Sequence, residues 1–302
     1  MGIKTDEDKG RMVAELLYNS FSTTGILGRT DMPEDLIPSG VQRGSVEHLL
    51  FLTLTVSIDY QRDAVALWRS SSQNFEGPAT RYLFNPKSLH EQSAQQITTD
   101  MQINKLSKKP KKDAYIWRTV GVTFFKKWEG DPRNFLESCN CDSLTILDHL
   151  KNDNHVYNKR LVPDYPYLRG PKIGSLWLRM LRDNAGIRKL KNLDKVPIPV
   201  DIHVARATLT TGVIRGKIRS HLHDLFEDIR TAWAESVKGL NAEDRPMIAL
   251  DVDEPLWHLS KYGCTFRDKE TGVCPVSGQC EARDFCVKGK IAIEKSFLDL
   301  DT

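Results

Sequence analysis

Four of the six cysteines, Cys264, Cys274, Cys280 and Cys286, fall within 23 residues near the C-terminal end, spaced Cys-x9-Cys-x5-Cys-x5-Cys. No other feature limits the fold so strongly, because a stretch this rich in thiols must either bridge them or wrap them around something. The N-terminus, MGIKTDEDKGRM, is polar and mixed in charge and does not read as a secretory leader. A reducing compartment is therefore expected, where clustered thiols favour a metal over disulfides. Cys139 and Cys141 stand apart and read as ordinary cysteines.

The chain has 302 residues, enough for one large domain or two interleaved ones. Apolar residues make up 40% and charged residues 27%, with no long uncharged apolar run, so a soluble globular protein with no membrane span is expected. The expected location is intracellular, cytoplasmic or nucleoid-associated, and the expected state a monomer. Net charge is only +3, which excludes a polycation, but the charge is unevenly placed. Between Tyr167 and Lys195 eight basic residues face two acids, and a second basic run, KKPKK, occupies 108–112. Such clusters suit a polyanion, DNA or RNA. The shorter run equally suits a solvated loop face.

Helical signals dominate. SVEHLLFLTLTVS, 45–57, leans helical, with Ser45 at its start. Asp59 reads as the N-cap of the next helix, Asn85-Pro86 opens another, Asp113 caps AYIWRTVGVTFFKKW and Ser143 caps LTILDHLKND. Ser175 to Asn184 reads as a compact amphipathic helix, and Gly216 to Lys238 as a long one with Ile218, Leu222, Leu225, Phe226, Ile229 and Trp233 on one face. No alternating strand pair or Asn-Gly hairpin signal stands out. The reading is an all-α protein.

Two stretches carry chemistry. YLRGPKIGSLWLRML, 167–181, places a glycine-tight turn before a helix, a geometry that presents backbone N–H groups to a phosphate, though many helices simply begin this way. About thirty residues later comes Val200-Asp201-Ile202-His203-Val204-Ala205-Arg206, approached through Pro197 and Pro199. Asp201 is either the N-cap of a helix or a carboxylate held at a reacting centre. His203 reads as packing or orienting that helix, and Trp117 and Trp177 as core.

Together these stretches resemble the helix-hairpin-helix DNA glycosylase superfamily, the group of endonuclease III. That family's hairpin runs Leu-Pro-Gly-Val-Gly-x-Lys-Thr-Ala, against Leu168-Arg169-Gly170-Pro171-Lys172-Ile173-Gly174-Ser175-Leu176 here. Its catalytic segment runs Val-Asp-Thr-His-Val-x-Arg, against Val200 to Arg206 with Ile202 as the one change. It often closes with a [4Fe–4S] cluster on cysteines spaced six, two and five residues apart. The last spacing matches and the two longer ones depart, which leaves room for zinc.

The resemblance implies two helical lobes: a six-helix barrel, and an iron–sulfur lobe built from both ends of the chain, with the helix-hairpin-helix at the cleft. Segments would run 1–44 (N-terminal arm), 45–166 (barrel), 167–187 (helix-hairpin-helix), 188–257 (catalytic segment and C-terminal helices) and 258–302 (cysteine loop and tail). It implies a DNA glycosylase of base excision repair, with Asp201 catalytic, Arg169, Gly170, Lys172, Gly174 and Ser175 on DNA, and the four clustered cysteines on the metal. Bifunctional members carry a hairpin lysine that forms a Schiff base. The matching residue here is Gly174, so a monofunctional enzyme is expected, with Lys172 on a phosphate. A lyase working through Lys172, or a DNA binder without catalysis, are the alternatives. The turn Ser57-Ile58-Asp59-Tyr60-Gln61 is the candidate wedge and pocket wall for a flipped base, or else a helix cap and its neighbours.

Overall fold

The structure is a computed structural model describing residues 2–28 and 31–302. In chain order it runs β1 (Ile3–Thr5), α1 (Glu7–Ser20), α2 (Val46–Ser57), α3 (Ala64–Glu76), α4 (Pro86–Glu91), α5 (Ala94–Ile103), α6 (Pro110–Trp128), α7 (Pro132–Ser138), α8 (Ser143–Asn152), β2 (Asn154–Tyr157), β3 (Arg160–Pro163), α9 (Pro171–Asp183), α10 (Ile202–Thr210), β4 (Ile214–His221), α11 (Phe226–Ser236), β5 (Asn241–Ala242), β6 (Arg245–Pro246), α12 (Asp253–Tyr262), β7 (Lys290–Glu294) and β8 (Phe297–Asp301). Contacts divide it into two units, Met32–Lys195 and Met1–Asp31 with Val196–Thr302. Residues 32–44, expected with the N-terminal arm, group with the first of these. No helix among the described residues is long and apolar enough to cross a membrane.

The unit Met32–Lys195 is helical apart from one hairpin. Its centre is α2, buried continuously from His48 to Ser57. That explains why VEHLLFLTLTVS shows no clean period: a helix surrounded on every side is apolar on every side. Ser45 caps it, accepting the N–H of His48 at 3.2 Å. Helices α3, α6, α7 and α9 pack around it. Trp117 and Trp177 are fully buried there and satisfied, the first donating to the Leu83 carbonyl at 2.6 Å and the second to Thr53 Oγ1 at 3.0 Å.

Several helix starts differ from expectation. Asp63, not Asp59, caps α3, accepting from the Ala66 N–H at 2.8 Å, because Gln61 at φ +50° turns the chain first. Helix α6 begins at Pro110, so Asp113 lies inside its first turn. Asp142 caps α8, one residue before Ser143. Helix α9 begins at Pro171, ahead of Ser175, since proline at the first position costs no hydrogen bond.

The second unit overturns the all-α expectation. Strands β1, β4, β8 and β7 form a four-stranded antiparallel sheet in that order. The stretch expected to open a long helix at Gly216 is instead β4, whose residues alternate in burial along IRGKIRSH. Only Phe226–Ser236 of that stretch is α-helix. Gly216 sits at φ +143°, and a Cβ there would meet the Gly2 carbonyl oxygen at 2.4 Å, so the residue suits a strand crossed closely by β1. The hairpins turn without Asn-Gly: Asn158 and Lys159 take φ +47° and +61°, and Lys295 takes +56°. Val13 and Leu17 of α1, Val204 and Leu209 of α10, Trp233 of α11 and Leu298 and Leu300 of β8 share one core. Burying each such side chain contributes about 1.5–3 kcal/mol relative to exposure.

Candidate nucleic-acid interface

Within Met32–Lys195 three segments distant in sequence meet. The Tyr60 ring stacks on Tyr167, centroids 4.1 Å apart at 28°. The Lys112 ammonium lies 5.1 Å from the centre of the first ring and 4.7 Å from the second, and Lys109 lies 5.0 Å from Tyr60. Lys109 also donates to Gln61 Oε1 at 2.7 Å, and Lys108 to the Gln61 carbonyl at 3.2 Å. The KKPKK run is therefore no free loop face. It is folded onto the turn read as a wedge and onto the turn before α9.

Asp113 organises this cluster. Its buried carboxylate accepts the Tyr60 hydroxyl at 2.5 Å, the Ser107 hydroxyl at 2.7 Å and the backbone N–H groups of Lys108 and Lys109 at 3.0 and 2.9 Å. Arg62 stands 3.9 Å away, and burial lowers its pKa against the pull of that carboxylate. Burial, then the bond to Asp113, pushes the Tyr60 phenol well above its ordinary pKa, so it stays a donor. Gln61 and Tyr167 are both left-handed, at φ +50° and +65°, a conformation costing about 1–2 kcal/mol for such residues. The surrounding contacts hold that strain in place.

The turn before α9 divides the expected phosphate contacts. Gly170 caps the helix in extended conformation, and its carbonyl accepts the Gly174 N–H at 2.9 Å. Arg169 and Lys172 are half-exposed. Ser175 is buried and its hydroxyl donates back to the Pro171 carbonyl at 3.1 Å. Gly174 faces α8, where an added Cβ would lie 2.9 Å from Leu147 Cδ2 and 3.1 Å from the Leu168 carbonyl oxygen. Of the eight basic residues after Tyr167, Arg179 is spent on an ion pair with buried Glu34, and Arg182 on Asp183 at 2.6 Å.

The turn Ser57–Gln61 is likewise mixed. Ser57 is buried, donating to the Leu54 carbonyl at 2.6 Å, and Asp59 is buried. Gln61 is exposed. A cavity of about 560 Å³ in this unit is lined by other residues, among them Phe75, Tyr82, Phe84 and Phe125.

Asp201 belongs to the other unit and caps α10, its Oδ1 accepting the N–H groups of His203 at 2.8 Å and Val204 at 3.1 Å. Ile198 and Val200 beside it are fully buried. His203 lies 5.5 Å from the Trp257 ring, and its Nδ1 is 3.2 Å from Ser260 Oγ, which also accepts from Arg206 Nη1 at 3.2 Å. Burial lowers the Arg206 pKa, while the charges of Cys264 and Asp201 act to raise it.

Cys264 is buried, and Cys274, Cys280 and Cys286 are half-buried; none is in a disulfide. Burial raises the Cys264 thiol pKa, with further upward contributions from the other three, and Cys280 is pushed up to about 11. Arg206, Arg267 and Lys9 supply positive charge around these sulfurs. The donor chemistry and the cations suit a tetrathiolate centre. The sulfurs are not drawn together, however: among the described residues no group of three or more His, Cys, Asp or Glu side chains forms a metal site. Cys139 and Cys141 are buried in the first unit.

No protein-family model matches the chain, and no curated protein matches it. The lysine run was read from sequence as a polyanion site or a solvated loop face and Asp113 as a helix cap, but the stacking of Tyr167 on Tyr60 and the place of Lys109, Lys112 and Asp113 beside that pair were missed. The one available signal was composition, an aromatic turn, YPYLRG, and a lysine run of the kind that meet on nucleic acid.

Proposed function

We propose that this protein binds DNA and hydrolyses the N-glycosidic bond of a damaged, mismatched or modified base, leaving an abasic site. The observation that carries the reading is the lysine-capped tyrosine pair. Aromatic faces with ammonium groups above them suit stacked bases and flanking phosphates. Arg169, Lys172 and the first turn of α9 extend that face with phosphate contacts that read no sequence.

The chemistry rests on Asp201 and on the resemblance of Val200 to Arg206 to the glycosylase segment. As the bond from C1′ to the base breaks, its electron pair leaves with the base and positive charge grows on the sugar. A fixed carboxylate stabilises that charge. Water then adds to C1′, and its proton goes to the departing base. The α10 cap supports this role because it fixes one carboxylate oxygen. Gly174 supports a monofunctional reaction, since α8 leaves no room for a lysine there. Cys264, Cys274, Cys280 and Cys286 would hold a [4Fe–4S] cluster, or zinc, as a structural element.

The test is base release from a panel of duplexes and single strands, each with one altered base, assayed for alkali-dependent breaks beside Asp201→Asn. Alkali-dependent breaks that vanish in D201N support the reading. Breaks without alkali, with borohydride trapping, would assign a lyase to Lys172. A second reading, a non-catalytic DNA binder, is favoured by the capping bonds that already occupy Asp201 Oδ1. Binding without base loss across the panel would put it ahead.

A further inference from the structure

The β2–β3 hairpin, 154–163, plays no part in the function proposed above. It leaves α8 at Asn152 and returns four residues before Tyr167. Its root is held firmly. Asp164 is buried, accepts Lys127 Nζ at 2.5 Å and lies 2.6 Å from His155 Nδ1, while its N–H donates to the Asp153 carbonyl at 3.1 Å and its carbonyl accepts the Thr123 hydroxyl at 3.0 Å. Four-residue strands reach about 13 Å from such a root.

The far end is the opposite in character. Val156 and Leu161 pair directly across the ladder, so both side chains share one face, and they are 73% and 70% exposed. Tyr157, 61% exposed, pairs with Arg160 on the other face. The tight turn between them is Asn158-Lys159. Between Asp153 and Asp164 the chain carries Lys159 and Arg160 and no acid. An isolated two-stranded hairpin is marginal in water, and aliphatic side chains at its tip do nothing to hold it. A rooted hairpin with an apolar pair at the tip and only positive charge beside it is complementary to a stack of bases between phosphates.

We propose that this hairpin is a wedge that enters a DNA duplex, with Val156 and Leu161 intruding at one base step and Lys159 and Arg160 on the flanking phosphates. The idea rests on the DNA-binding reading above. Apolar wedges of this kind unstack a step and kink the duplex. In chain order the hairpin leads straight into the turn that carries Tyr167 and Arg169.

The experiment uses the full chain and a short duplex with one mismatch beside a fluorescent purine analogue whose emission rises on unstacking. Wild type, the double variant V156T/L161T and the double variant K109A/K112A are compared by anisotropy and by emission. Threonine keeps the strand propensity and removes the apolar tip, and an unchanged thermal midpoint checks the fold. The expected result is binding and an emission rise for wild type. V156T/L161T should lose the rise and bind at least about tenfold more weakly. K109A/K112A should lose affinity while whatever complex forms still shows the rise. Equal emission and affinity for V156T/L161T and wild type would overturn the wedge and leave the DNA reading standing. No DNA binding by wild type would remove the DNA reading and the wedge with it. Wild-type dimers in sedimentation velocity that V156T/L161T abolishes would overturn the wedge by giving the face to a second copy of the chain.

Discussion

Gly174 shows how one absent side chain serves both packing and chemistry. Its missing Cβ lets α9 approach α8 at Leu147, so Gly174→Ala forces the Leu147 side chain and the Leu168 carbonyl apart. The expected cost is about 1–3 kcal/mol, read as a lower denaturant midpoint with an unchanged slope. Asp201 carries two roles that one pair of substitutions separates. Asparagine caps a helix about as well as aspartate, so Asp201→Asn should leave stability within about 0.5 kcal/mol of wild type while abolishing base release. Asp201→Ala should lose activity and about 1 kcal/mol together. Equal loss of stability in both would mean that the carboxylate's charge, not its cap, holds the segment.

At the scale of elements, the first turn of α6 matters because it joins what the chain keeps apart. Asp113 fixes Tyr60, Ser107 and the backbone of Lys108 and Lys109 at once. Asp113→Asn sets an amide against N–H donors, and should cost about 1–3 kcal/mol as well as DNA affinity. Lys109 and Lys112 are expected to act on phosphates rather than on sequence. Replacing both with alanine should weaken binding to all duplexes alike and reduce the slope of log K against log salt by about 2. An unchanged slope would confine the two lysines to holding the tyrosines.

Across the whole molecule the two units should respond to acid in different pH windows. In Met32–Lys195, buried His48 accepts the Gly44 N–H at 3.1 Å on Nδ1 and so must be neutral. Burial, then the Arg43 charge, lowers its pKa to about 4. A histidine depressed on folding contributes stability that is whole above its unfolded value of about 6.5 and is lost as pH falls toward the folded one. In the other unit Asp299 is depressed by Arg219 and then Lys290, although burial opposes them, so its contribution is present above about 3.9 and is lost only below that. Limited proteolysis at pH 7, 5 and 3 should therefore cut Met32–Lys195 first, and His48→Asn should remove that early step. What the sequence alone determined is local. Ser45 as a cap, the helix that follows it, the helix start at Asn85-Pro86 and Asp201 before α10 follow from residue type and near-neighbour spacing, because a cap is satisfied within a few residues, whereas the same reasoning put the caps of α3 and α8 at Asp59 and Ser143 instead of Asp63 and Asp142. The sheet was not legible, since β1 and β4 pair across more than two hundred residues of chain, β4 and β8 across about eighty, and Ile218, Leu222 and Leu225 also fit a helical period. Only the tertiary structure decided that Tyr60, Lys112 and Tyr167 form one surface, that Arg179 is spent on Glu34, and that Gly174 has no space beside it. Each of these depends on which distant side chain fills the neighbouring volume, a property that no local pattern of residues contains.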